Sequence, residues 1–263
     1  MTCPSIVFIV PYRNRAEQLA NFRDHMQTIM ADYGADEWAI YYMHQCDDRP
    51  FNRGAMKNIG LLFLKDKYPD NYHNITIVLN DVDCMPSKKG IIDYRTKPGV
   101  IKHFYGFEFT LGGIVSINAG DFEKINGFPN LWAWGYEDNM IQHRATAGRL
   151  KIDRSTFYKP FNNNNSIIHL QDGPLREVNR GEFDRYVEGT TEGIRSIAGL
   201  VYSFDEPTGF VNITQFSTGR EPDLTKYHMH DLKNGTAPYD TKFGLMYNNR
   251  RYKRGQQMLL LHK

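Results

Sequence analysis

Cysteine is scarce in this chain: Cys3, Cys46 and Cys84 are the only three in 263 residues. An odd, sparse set builds no disulfide framework and suits a reducing compartment. Long apolar runs are missing too. No stretch approaches 18 apolar residues, so no transmembrane segment is expected. The first strand-like run begins without a charged leader, and the expected location is therefore cytoplasmic. Nor does charge of one sign dominate. With 32 Lys+Arg against 30 Asp+Glu the formal net charge is +2, which gives no reason to expect nucleic acid as a partner. Basic residues cluster only at Arg250, Arg251, Lys253 and Arg254, a run short enough to be a solvated tail. Asn-x-Ser/Thr sequons begin at Asn74, Asn164, Asn212 and Asn234, and matter only in a secreted chain. No internal repeat or strong linker interrupts the sequence.

What is present is a globular balance of 41% hydrophobic and 24% charged residues, with aromatics high at 13%. Aromatic faces bind sugars but also fill cores. The length suits a single domain able to bury a full core. Residues 5–10 (SIVFIV) form a continuous apolar run ending at Pro11, the pattern of a strand buried on both faces. Residues 16–30 carry Leu19, Phe22, Met26, Ile29 and Met30 at helical spacing. A second strand is expected over 37–44, a second helix over 51–64 and a third strand over 74–79. Strand, helix, strand, helix, strand predicts an α/β fold, an open and mainly parallel sheet flanked by helices. Further on, 112–117 predicts a strand, 121–125 a short helix and 137–147 a longer one, while 162–165 reads as a polar loop.

In open α/β sheets ligands gather at the carboxyl ends of strands. Two such ends carry chemistry here. Asp81-Val82-Asp83 follows the third strand, and its hard carboxylate oxygens suit Mg²⁺ or Mn²⁺. It fits a plain surface turn equally well. His169 is able to complete a metal site, though a lone His is more often hydrogen-bonded in a structural role. Pro11-Tyr12-Arg13-Asn14-Arg15 follows the first strand. Its two guanidinium groups can grip phosphate oxygens, with Tyr12 against a flat base, or they can simply be exposed loop arginines. Phe51-Asn52-Arg53 is a second candidate of that kind. The most unusual stretch is Trp132-Ala133-Trp134-Gly135-Tyr136-Glu137-Asp138. Aromatics beside glycine make a loop that can cover a sugar face. Glu137 and Asp138 then fall at a helix start, where the dipole favours carboxylates, and one of them can take a proton from a hydroxyl. A Trp-pinned turn with capping acids is the plainer alternative.

Together these blocks resemble the β-1,4-galactosyltransferase family. In the family's order stand Phe8 through Arg15, Phe51-Asn52-Arg53, Asp81-Val82-Asp83, Gly112-Gly113, Asn126-Gly127-Phe128-Pro129-Asn130, Trp132 through Asp138, and Gly181-Glu182-Phe183-Asp184-Arg185. The resemblance covers roughly residues 5–216 and implies a GT-A-like fold with a Rossmann-like nucleotide-sugar half. It implies a transferase domain over 1–217, with a UDP-binding half (1–90) and an acceptor and metal half (91–217), followed by a C-terminal extension over 218–263. The implied partners are a UDP-sugar donor and a glycan or glycoconjugate acceptor, and the implied cofactor is Mn²⁺ or Mg²⁺. Pro11, Tyr12, Arg13, Arg15, Phe51, Arg53, Asp81, Val82, Gly113 and Trp134 would hold the donor. Asp83 and His169 would bind the metal. Asp138 would be the base, beside Glu137, with Trp134 closing over both substrates.

Departures from the family pattern set further expectations. Ser166 stands where the family has a metal-binding Met, so its hydroxyl or a water takes that place. Asn139 replaces an acid, which puts the family's usual N-acetylglucosamine acceptor in doubt. Ala133 and Tyr136 replace glycines and stiffen the loop. Thr110 replaces a bulky Tyr, leaving room for N-acetylgalactosamine as well as galactose. UDP-xylose, UDP-glucose, and a binding protein without catalysis are the alternatives.

Overall fold

The computed structural model describes residues 2–160, 165–170, 173–234 and 238–239. The basic cluster from Arg250, the sequon asparagine Asn164, most of the expected 162–165 loop and the end of the C-terminal extension lie outside the described residues. The elements run β1 (Ile6–Tyr12), α1 (Ala16–Ile29), β2 (Trp38–Gln45), α2 (Arg53–Lys67), β3 (Thr76–Asn80), β4 (Cys84–Pro86), β5 (Val100–Tyr105), β6 (Ile114–Asn118), α3 (Ala119–Lys124), α4 (Glu137–Ala147), β7 (Lys151–Asp153), β8 (Ile167–His169), β9 (Leu175–Asn179), α5 (Arg180–Glu188), β10 (Ala198–Asp205), β11 (Phe210–Ser217) and β12 (Tyr227–Asp231). Among the described residues no helix is long and apolar enough to cross a membrane.

Eight strands form one sheet in the order β10-β11-β2-β1-β3-β6-β5-β7. β1 pairs in parallel with both β2 and β3, and β2 in parallel with β11. β6 runs antiparallel to both β3 and β5. The apolar run of β1 is buried on both faces, as expected. Val7 and Ile9 point into the core under α2, whereas Ile6, Phe8 and Val10 point into the core under α1. The chain therefore leaves β1 toward β2 over one face and returns to β3 over the other. That reversal opens a crevice beyond the carboxyl ends of β1 and β3.

Helix α2 is anchored at the crevice. Asn52 caps it, its Oδ1 accepting from the Ala55 amide at 2.8 Å, while its Nδ2 donates to the Asn130 carbonyl at 3.2 Å. Six residues further, Asn58 donates to the Phe128 carbonyl and to Asn130 Oδ1, and accepts from the Phe128 amide. The Asn126–Asn130 motif is thus a buried brace that fixes the start of the Trp-rich loop to α2. Gly54 lets the two backbones meet, since a β-carbon there would stand 2.3 Å from the Pro129 carbonyl oxygen.

The expected halves meeting at residue 90 share one sheet, because β11 from the second pairs with β2 from the first. Residues 218–234, read as the start of an extension, lie against the body: β12 pairs with β9, the Tyr227 hydroxyl donates to the Trp132 carbonyl, and the Trp132 indole donates to the Arg220 carbonyl.

Gly54→Ala is expected to destabilise the protein by about 1–3 kcal/mol through overpacking against a carbonyl that cannot move aside. For a chain of this size that lowers Tm by roughly 2–12 °C. An unchanged melting temperature in a thermal scan would mean that the α2 brace is not as tight as described.

Candidate active site

The crevice is a cleft of about 290 Å³. Of the sequence candidates, Pro11, Arg13, Arg15, Phe51, Arg53, Asp81, Val82, Asp83, Trp134 and Glu137 line it. Tyr12 does not. It follows Pro11 on the strand and so faces the other way, packing edge-to-face on His44 and Phe210 with ring centres 5.3 Å away in each case. Gly113 sits just behind the cleft wall, its carbonyl accepting from the Asp81 amide at 3.1 Å. It has φ 77°, and a β-carbon there would meet the Tyr105 carbonyl oxygen at 2.4 Å, so glycine is required on both counts.

At the heart of the site, Arg53 from the first turn of α2 meets three carboxylates. Its guanidinium reaches Glu137 at 2.6 Å, Asp138 Oδ2 at 2.7 Å and Asp81 Oδ2 at 3.0 Å. Four residues on, the same helix face carries Lys57, whose side-chain nitrogen lies 3.2 Å from Asp81 Oδ1 and 3.9 Å from Asp138 Oδ1. Burial works against ionisation of both aspartates. For Asp81 the two cations outweigh it and hold the carboxyl below the usual range. For Asp138 burial wins, with Glu137 and Asp81 adding repulsion, and its pKa is raised to about 6 despite Arg53 and Lys57. Asp138 is pressed against Gly112, where a β-carbon would stand 2.2 Å from its Oδ2.

Asp83 belongs to a different neighbourhood. β3 ends at Asn80, and residues 81–84 form a turn in which the Cys84 amide donates to the Asp81 carbonyl. The turn sends Asp81 toward α2 and Asp83 toward β8, whereas a continued strand would place both on one side. β4 pairs with β8, setting Cys84 opposite His169. His169 Nε2 then lies 3.7 Å from Asp83 Oδ2. The Tyr105 hydroxyl, 3.0 Å from His169 Nδ1, orients the ring so that Nε2 faces the carboxylate. Contact with Asp83 raises the His169 pKa, so the pair draws positive charge to itself. Burial pushes the Cys84 thiol well up, and it donates to Asp83 Oδ1 at 3.1 Å. One carboxylate and one imidazole fit a six-coordinate divalent ion, whose ligands stand about 3–4 Å apart. Ser166 is close by in chain, with its carbonyl accepting from the Ser87 amide at 2.8 Å. Gln171 and Asp172 lie outside the described residues.

Trp134 is partly exposed at the cleft mouth, its amide held by the Glu177 carbonyl at 2.9 Å. Trp132 is buried instead, stacked on Phe216 with Arg49 over its ring, and its amide is held by Glu182. Glu182 belongs to the Gly181–Arg185 block, which forms most of α5 and so props up this loop. Tyr136 takes φ 72° and packs on Phe183 and Tyr186. Gly135, at φ 102°, has open space around it.

Sequence reasoning missed Lys57, Tyr105, and a clamp behind the glycines. Burial lowers the His103 pKa to about 3, so the ring is neutral. Its Nδ1 accepts from Arg154 at 3.0 Å, leaving Nε2 to donate to the Gly112 carbonyl at 3.1 Å. Arg154 also donates to the Thr110 carbonyl. For Lys57 a signal existed, since it follows Arg53 by one helical turn.

Comparison with known proteins bears on family and fold. Residues 2–94 match the family pattern described as the N-terminal region of glycosyl transferase group 7, and residues 101–169 that described as the N-terminal domain of galactosyltransferase. Human β-1,4-galactosyltransferase 4 is 27% identical over 220 residues, covering 80% of this chain and 62% of the relative. Xylosylprotein 4-β-galactosyltransferase of Caenorhabditis elegans is 30% identical over 178 residues, 64% of this chain and 59% of the relative. The chain thus spans about three fifths of the length of these relatives. The crystallised catalytic domain of Drosophila β-1,4-galactosyltransferase 7, in complex with xylobiose, superposes with TM-score 0.65 at 20% identity over 85% of this chain and 97% of that one. A mutant of the Drosophila enzyme, in complex with manganese, UDP-Gal and xylobiose, gives 0.61 at 21% identity, with the same coverage. At those identities the structures speak for a shared fold.

Titration with Mn²⁺, followed by the loss of the free-ion electron paramagnetic signal, is expected to show binding that weakens at least about tenfold in His169→Ala and in Asp83→Ala. Wild-type affinity in either variant would remove that residue from the metal site.

Proposed function

This chain belongs to the β-1,4-galactosyltransferase family, and on that premise we propose that it is a hexosyltransferase that moves a sugar, with inversion, from a UDP-sugar to a glycan hydroxyl. Galactose and N-acetylgalactosamine are the sugars put forward, and UDP-xylose or UDP-glucose are the alternative donors. The observation that carries the reading is an acid–imidazole pair, Asp83 and His169, whose carboxylate lines a cleft with Arg13, Arg15 and Arg53, and a carboxylate of raised pKa, Asp138, held behind that wall by Arg53.

The division of labour follows from that placement. Arg13 and Arg15 sit at the cleft wall by Pro11 and Phe51, where guanidinium groups can hold diphosphate oxygens. Manganese or magnesium between Asp83 and His169 would supply positive charge to the departing diphosphate. Asp138 receives the proton of the acceptor hydroxyl as its oxygen bonds to C1 of the sugar. The C1–oxygen bond to the diphosphate breaks on the opposite face, and UDP leaves with the bonding pair. Asp138 Oδ1 is buried and makes no hydrogen bond among the described residues, whereas Oδ2 is held by Arg53. Trp134, at the mouth, can close over the sugar and limit hydrolysis. Support for the cytoplasmic reading is the unpaired state of all three cysteines, with Cys46 exposed. Ser166 and Asn139 favour the second reading, a binding protein that has lost catalysis.

A panel of UDP-sugars with Mn²⁺, monitored by UDP release, is expected to single out UDP-galactose or UDP-N-acetylgalactosamine. Asp138→Asn should lower kcat by about 10²–10⁴-fold with little change in donor KM. Near-normal turnover in that variant would remove Asp138 as base, and no release from any donor would favour the binding protein.

A further inference from the structure

Lysine is rarely buried without a reason, yet Lys57 is only 1% exposed. Its stem fills the space under α2 and its nitrogen lies 4.8 Å above the Phe128 ring. Placement of the charge is specific. Arg53 binds the Oδ2 oxygens of both Asp81 and Asp138, and Lys57 faces the Oδ1 oxygens of the same two carboxylates. Asp138 Oδ1 makes no hydrogen bond among the described residues. Core packing alone would be met by Met or Leu, which bring no desolvated charge.

Resting on the transferase reading above, we infer that Lys57 is a positioning residue whose buried charge keeps Asp138 ionised, and so able to accept a proton, near neutral pH. The groups facing Asp138 are Arg53 and Lys57 from α2, Asp81 from the turn after β3, and its neighbour Glu137 on α4. Three carboxylates stand against two cations, so losing Lys57 leaves one cation for all three. An opposite charge within about 4–6 Å lowers a carboxyl pKa by roughly 1–3 units. Taking it away must move Asp138 upward, toward the protonated form that cannot act as a base. Lys57 acts through Asp138 and touches no substrate itself.

The test is a ¹³C NMR titration of the Asp138 carboxyl in the full-length chain with Mg²⁺, assigned by the signal missing in Asp138→Asn. It is run on wild type, Lys57→Met, Lys57→Gln and Lys57→Arg, with the acid limb of kcat/KM for UDP-sugar turnover measured alongside. The Gln variant can still hydrogen-bond the aspartates and covers the case in which Lys57→Met does not fold. Expected is a rise of about one pH unit or more in both neutral variants, in the carboxyl titration and the acid limb together. Lys57→Arg, which restores the charge, should stay near wild type in both. A purely structural role predicts a loss of activity equal at every pH. An unmoved Asp138 titration in the neutral variants overturns the inference. Absence of turnover in wild type would instead overturn the transferase reading, and the carboxyl titration would still decide the claim about Lys57.

Discussion

The guanidinium of Arg53 ties together three parts of the chain. It meets Asp81 after β3 and Glu137 and Asp138 at the start of α4. Each carboxylate is mostly buried and would be costly there without a partner. The same residue in the cleft wall is therefore both a structural tie and an electrostatic one. Burial lowers its proton affinity, but the three carboxylates more than reverse that, so its charge is fixed. Its position depends in turn on Asn52 and Asn58, which pin α2 to residues 126–130 by neutral hydrogen bonds. Directional hydrogen bonds fix the distance between the helix and the loop, and the charges then act across a gap already set.

How much of this the sequence reveals depends on whether a feature is local. β1, β2, β3, α1, α2 and α4 are legible because their apolar residues face cores on one or both sides, and α4 spans the expected 137–147. β10 is not, since its burial alternates between partial and exposed and its pairing with β11 contains register shifts. β5 contains Lys102 and His103, which read as polar even though His103 is fully buried. The meeting of Asp83 and His169 is the least legible feature. It depends on β4 and β8, strands of three residues each, pairing across a long stretch of chain. No periodicity extends over three residues, so the residues alone leave His169 an open candidate, and it is the resemblance to a family that singles it out. Lys57 shows the opposite failure. Its spacing from Arg53 is plain, but a lysine on a helix is ordinarily solvated, and nothing local says that this face is covered by residues 126–130.

Asp81 and Asp138 show how one pair of cations can give two carboxylates different characters. Both touch Arg53 and Lys57, yet one pKa falls and the other rises. The distances to Arg53 are similar, 3.0 and 2.7 Å, so the guanidinium does not separate them. Lys57 does, at 3.2 Å from Asp81 and 3.9 Å from Asp138. Asp138 also has Glu137 beside it in the chain, and two adjacent acids resist being charged together. Asp81 is thereby committed to the ionised state and suited to fixed contacts. Asp138, at about 6, is charged near neutral pH but still basic enough to take a proton. Had Lys57 stood equally close to both, Asp138 would be more firmly ionised and a weaker base. Burial, the adjacent Glu137 and the offset of that one nitrogen together separate the two acids.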